Sequence, residues 1–188
     1  MTTHHDRFRI KAFVALAAVV GLCAVVAHPA SGARRDLGWQ PFRDGVFGYA
    51  FDYPTVIFKP APGDPTASLA DSARKSGHTF RSVDGKAYLL TAAFENVGNL
   101  SVTAYKARVA STGYKDAKID YERTAANFFV LSGFRGDEVF YERVTLSCGG
   151  RIVNVWTMTY PKAEGALYDR IVEEVARTYR PTEGPGCK

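Results

Sequence analysis

The sequence predicts an α+β fold: an antiparallel β-sheet of about six strands covered by helices, preceded by a signal peptide. Three observations carry this. Apolar and polar residues alternate with period two in runs of consecutive segments, helical periodicity is confined to two stretches, and the N-terminus has the three-part order of an export leader.

In that leader, Arg7, Arg9 and Lys11 are followed by sixteen uncharged residues, Ala12 to Ala27, and then by the helix breakers His28 and Pro29. Ser31-Gly32-Ala33 supplies small residues for cleavage between Ala33 and Arg34, leaving a single domain at 34–188. An uncleaved membrane anchor is the alternative, although a spanning helix needs about 20 apolar residues. Cys23 follows Leu22 and makes no lipobox. The expected location is therefore periplasmic or secreted, with no membrane span after cleavage. Beyond Ala33 the net charge is only +3, with bases and acids interleaved, which argues against nucleic acid as a partner.

Phe47, Tyr49, Phe51 and Tyr53 alternate with small or polar residues and predict a strand that Pro54 stops. Residues 60–78 read as a long loop with a short helical turn near Ser68 to Lys75. Thr79 to Val83 and Lys86 to Phe94 flank Asp84-Gly85, which suits a two-residue hairpin turn. The second arm is apolar on both faces and should lie inside the sheet.

Asn99 to Ser111 predicts a helix whose inner face is Leu100, Thr103, Ala104, Ala107 and Ala110 or Ser111, with Gly113 ending it. Ala117, Ile119 and Tyr121 alternate with Lys118, Asp120 and Glu122 as a strand. Asn127 to Ser132, Glu138 to Leu146 and Ile152 to Tyr160 continue a meander through Gly-containing turns. The clearest helix carries Tyr168, Ile171, Val172, Val175 and Tyr179 on one stripe, with Arg170–Glu174 and Glu173–Arg177 as outer pairs.

After cleavage two cysteines remain, Cys148 and Cys187, and an oxidising compartment predicts one disulfide between them. The last strand spans about 27–30 Å and the following helix returns about 21 Å, so the tail can bring Cys187 back to Cys148.

No catalytic, cofactor or metal motif emerges. The one histidine after residue 33, His78, rules out multi-histidine metal sites, and no Gly-x-Ser-x-Gly elbow presents a nucleophile to it. Gly85-Lys86 lacks the rest of a phosphate loop, and Asp137-Glu138 and Glu173-Glu174 each diverge in direction. The aromatic sheet residues, with Trp39 and Trp156 as anchors, read first as core and second as a binding face.

The run from Phe47 to Pro54, together with Asn127 to Gly133, Phe140-Tyr141, Cys148-Gly149, Tyr160-Pro161 and a last helix closing at Tyr179 and Pro181, resembles small exported proteobacterial proteins of unassigned role. The element order is similar to the PsbP-like fold, an antiparallel sheet between helices, many of whose members are extracytoplasmic accessory or binding proteins. That resemblance implies a non-catalytic module for an envelope protein or small molecule, and carries no site residue. The alternatives are a hydrolase built around His78 in the 60–78 loop, and a structural envelope or stress protein.

Overall fold

The computed structural model describes residues 37–67 and 72–188. The leader, the Ala33–Arg34 junction and most of the helical turn expected near Ser68 lie outside the described residues. Among those described, no helix is long and apolar enough to cross a membrane.

Among the described residues nine strands, where about six were expected, form two antiparallel sheets. The first is a hairpin of β1 (Trp39–Arg43) and β2 (Ala50–Pro54). The second has seven strands: β3 (Phe58–Ala61), β4 (Lys75–Ser82), β5 (Tyr88–Glu95), β6 (Lys118–Thr124), β7 (Phe128–Arg135), β8 (Glu138–Ser147) and β9 (Ile152–Pro161). Their order is β3-β4-β5-β9-β8-β7-β6. The helix α1 (Val102–Gly113) carries the chain from β5 to the far edge, and the meander then returns until β9 pairs with β5. The helix α2 (Gly165–Thr178) follows β9.

The two helices take opposite faces of the large sheet and different halves of it. On one face, α2 and the β1–β2 hairpin cover Phe80, Leu89, Trp156 and Met158, with Phe51 and Ile171 in the same core. On the other, α1 covers Phe129, Leu131, Phe140 and Val144. Tyr168, Ile171, Val172 and Val175 of α2 are buried as their spacing predicts, and burying side chains of this size is worth about 1.5–3 kcal/mol each. On its outer face Arg177 takes Glu174, three residues before it, where Glu173 was expected.

Several local expectations are corrected. The strand expected from Phe47 to Tyr53 is β2 and begins at Ala50, since Phe47 and Gly48 belong to the turn after β1. The loop expected over 60–78 is shorter, because β3 reaches Ala61 and β4 begins at Lys75; His78 therefore stands in a strand. The β4–β5 connection has five residues, 83–87, where two were expected, with the Ser82 carbonyl accepting from Gly85 N and the Asp84 carboxylate from Lys86 N. In α1 the inner face is Val102, Tyr105, Val109 and, as expected, Ala110, while Thr103, Ala104 and Ala107 are exposed. Burying a tyrosine and two valines removes far more apolar area than burying alanines, and that sets the helix's rotation. A bulge at Asp120 moves Tyr121 to the face opposite Ile119. Beside it, a Cβ on Gly133 would strike the Lys118 carbonyl, so β6 can approach β7 only against a glycine.

The C-terminal segment returns to the sheet. Arg180 pairs with Ala50 through two backbone bonds of 2.8 and 2.9 Å. The fully buried Asn154 of β9 accepts from Thr182 N (2.9 Å) and Oγ1 (2.6 Å) and donates to Ser147 Oγ (2.8 Å). Cys148 and Cys187 are joined, 39 residues apart, and Gly186 lies so close to the Phe47 carbonyl that a Cβ would not fit.

Closing a loop of that length restrains the unfolded chain by about 3–4 kcal/mol. Cys187→Ser should lower unfolding stability by about that amount in denaturant titration. Asn154→Leu should cost about 2–3 kcal/mol by stranding the Thr182 and Ser147 groups. The two losses should add to less than their sum, since both detach the same segment.

Candidate functional site

The position of His78 decides the first candidate. It shares a face of β4 with Ser76, and both meet Asp44 from the turn after β1. The Asp44 side chain is 1% exposed. Its Oδ1 accepts from Val46 N (3.1 Å) and Phe47 N (2.5 Å), and its Oδ2 from Ser76 Oγ (2.6 Å) and His78 Nε2 (2.9 Å). Burial pushes the Asp44 carboxyl upward, but the bonds from Ser76, Phe47, His78 and Val46 outweigh it and hold the group below its ordinary 3.8.

A catalytic relay requires the acid on one ring nitrogen and the nucleophile on the other. Here Ser76 Oγ is 3.4 Å from Nε2, the same nitrogen that meets Asp44, so the imidazole cannot pass a proton between them. The cluster is a clamp that fixes the hairpin turn onto β4. Sequence reasoning singled out His78 but missed Asp44 and Ser76, because Asp44 lies 34 residues from His78 and no local motif signals the pairing.

The disulfide stands at the edge of a cleft of about 750 Å³, with Asn96, Ser101, Asn127, Ser147 and Thr182 also on its walls. Ser101 caps α1 by accepting from Ala104 N (3.2 Å), and Asn96 holds the preceding turn through Leu100 N and O and Gly150 O. The polar groups of this cleft are largely engaged in holding the chain's own turns.

A second pocket, of about 420 Å³, opens beside the C-terminal end of α1 and contains Glu142. Glu142 Oε2 accepts from the Tyr114 hydroxyl (2.5 Å) and from Thr157 Oγ1 (3.4 Å). Burial raises this carboxyl above its ordinary 4.5, against the opposing pull of those two bonds. Burial, with Glu142 nearby, also pushes the Tyr105 hydroxyl up to about 12. Sequence reasoning passed over Glu142, although its place between Phe140 and Val144 puts a charge in an inward row.

The half of the sheet that α2 leaves uncovered presents cations on aromatic rings. The Arg143 guanidinium lies 4.4 Å and that of Arg123 5.4 Å from the Phe128 ring centre, and Lys162 Nζ lies 4.7 Å from that of Phe134. Tyr121, turned outward by the bulge, is 52% exposed. At the inner edge of this surface, Arg143 Nε, Trp156 Nε1, Thr145 Oγ1 and the Tyr179 hydroxyl are buried without hydrogen-bond partners. Arg143 stands opposite Trp156, and Thr145 is two residues along the same face. Such orphaned polar atoms are uncommon in folded proteins. Near α1, Lys106 lies 3.5 Å from Glu122 and Lys118 2.7 Å from Asp120. Among the described residues no three His, Cys, Asp or Glu side chains gather as a metal site.

An antiparallel sheet with a helix on each face, arranged in this order, defines a PsbP-like fold. The chain is similar to the solution structure of cyanobacterial PsbP (CyanoP) from Synechocystis sp. PCC 6803, with a TM-score of 0.55 at 15% identity over 86% of this chain and 98% of that one. At that identity the likeness establishes the fold. No family model matches the chain, and no curated protein is similar to it in sequence.

Two consequences concern the carboxylates. Asp44 is held low when folded, so its contribution is present above the ordinary carboxylate range and is lost as pH falls through the folded value. Asp44→Ala should cost about 3 kcal/mol at neutral pH, and the gap to the parent should narrow in acid unfolding curves. Glu142 is raised, so its proton favours the folded state below the ordinary range, and that advantage fades as pH rises through the folded value. Glu142→Gln should melt higher than the parent at neutral and alkaline pH and together with it in acid.

Proposed function

We propose that this protein is an exported, non-catalytic accessory module that docks an acidic segment of an envelope protein on the open half of its sheet. The observation that carries this reading is the surface of Arg123, Phe128, Arg143, Tyr121 and Lys162, whose three cations stack on rings or face solvent and form none of the ion pairs found among the described residues. Arginine and aromatic residues are the types that dominate binding hot spots. An acidic segment would supply carboxylates to cations that form no ion pair among the described residues. The PsbP-like fold supports an accessory role by analogy, and the N-terminal sequence supports export, with Arg34 as the first residue of the processed chain.

The test places a photo-cross-linking amino acid at Tyr121, or at the exposed Thr103 on the opposite face, in the full-length protein expressed in its own cell envelope. A single adduct from position 121, absent from 103 and abolished by Arg123→Glu with Lys162→Glu in a normally melting protein, is the expected result. Equal capture from both positions, or capture indifferent to charge reversal, would remove the proposed face. An intact leader on the recovered protein would remove the export step.

A further inference from the structure

Near its C-terminal end α1 leaves part of its own sheet face uncovered. The helix packs on β7, while the row that runs Leu90, Thr157, Glu142 across β5, β9 and β8 continues past it. The result is the pocket of about 420 Å³, with Leu90, Val109 and Phe140 as apolar walls and Thr157, Thr159 and Glu142 as its polar groups. Glu142 uses Oε2 for both of its protein donors, Tyr114 and Thr157, and Oε1 receives none.

The charges around the pocket do not neutralise Glu142. Lys106 of α1 is drawn to Glu122 at 3.5 Å. Arg135 of β7, at the rim, donates to the Gly113 carbonyl (2.6 Å) and lies 5.7 Å from the centre of the Tyr114 ring. Glu142 takes part in none of the ion pairs among the described residues. A carboxylate among apolar walls with no cation beside it is costly to keep, and a partly apolar pocket with one such group has the form of a small-ligand site.

We infer that this pocket binds a small organic monoammonium ion, its nitrogen donating to Glu142 Oε1 and its apolar body resting on Leu90, Val109 and Phe140. The pocket volume suits a single-ring ligand, and Arg135 at the mouth disfavours a second positive charge. The site lies on the face of the sheet opposite the open half, so it stands whether or not that half docks a protein.

The exported, disulfide-bonded protein is titrated with 2-phenylethylamine, 2-phenylethanol and 3-phenylpropionate, following backbone amide signals by NMR. The amine should shift Leu90, Val109 and Thr157 saturably, the alcohol should bind about tenfold or more weakly, and the propionate should not bind. Glu142→Gln should reduce amine affinity to that of the alcohol. Val109→Trp, which fills the pocket from the helix and leaves Glu142 and Tyr114 in place, should block both ligands and decides the matter should the first variant not fold. Equal binding of amine and propionate, undiminished amine binding by either folded variant, or no saturable shift at these three residues would overturn the assignment.

Discussion

Near the start of β9 the carboxamide of Asn154 is sealed from solvent, and its oxygen is satisfied by Thr182, from the segment after α2. A buried amide without partners is expensive, so this contact ties the chain's end to its central strand. The disulfide from Cys148 to Cys187 adds a covalent tether a few residues away, and Gly186 packs on the turn that Asp44 organises. The backbone pairing of Arg180 with Ala50 then joins the tail to the β1–β2 hairpin. Helix α2, the hairpin and the sheet beneath them are held as one layer by these attachments. Without them the hairpin would have two strands and little independent stability.

The same arrangement explains where the molecule is open. Each helix covers one face of a seven-stranded sheet, and neither is wide enough to cover all of it. The uncovered part on the α2 side exposes cations stacked on aromatic rings, and the uncovered part on the α1 side leaves Glu142 in a pocket. Both features contrast with the Asp44 cluster, whose carboxylate has donors on each oxygen and ties the hairpin turn to β4. Partnered polar groups of this kind hold the fold together.

Much of the architecture was legible from periodicity. The stripe Tyr168, Ile171, Val172 and Val175 is the buried face of α2, and the segments from Asn127 to Tyr160 are strands within three residues of their expected bounds. The helix α1 was legible as a helix but not in its rotation, because counting alanines as apolar gave them the weight that Tyr105 and Val109 carry in the core. β1 and β3 were missed: each is short, with a proline inside it, and each becomes a strand only through its partner. The bulge at Asp120, which reverses the direction of Tyr121, leaves no mark in an alternating pattern.

The sequence by itself determined the α+β class, the order of the main elements and the pairing of its two later cysteines, because alternation, helical spacing and residue counts are local or global properties of a chain. It also pointed to His78 as the residue to inspect. Only the tertiary structure decided that Asp44 and Ser76 meet the same nitrogen of that histidine, and that a relay is not assembled. Only the tertiary structure placed Glu142 in a pocket where it takes part in none of the ion pairs among the described residues, and buried Arg143 Nε without a hydrogen-bond partner. A side chain's partners depend on which distant strands lie beside it, and that follows from the packing of the whole sheet rather than from its neighbours in the chain.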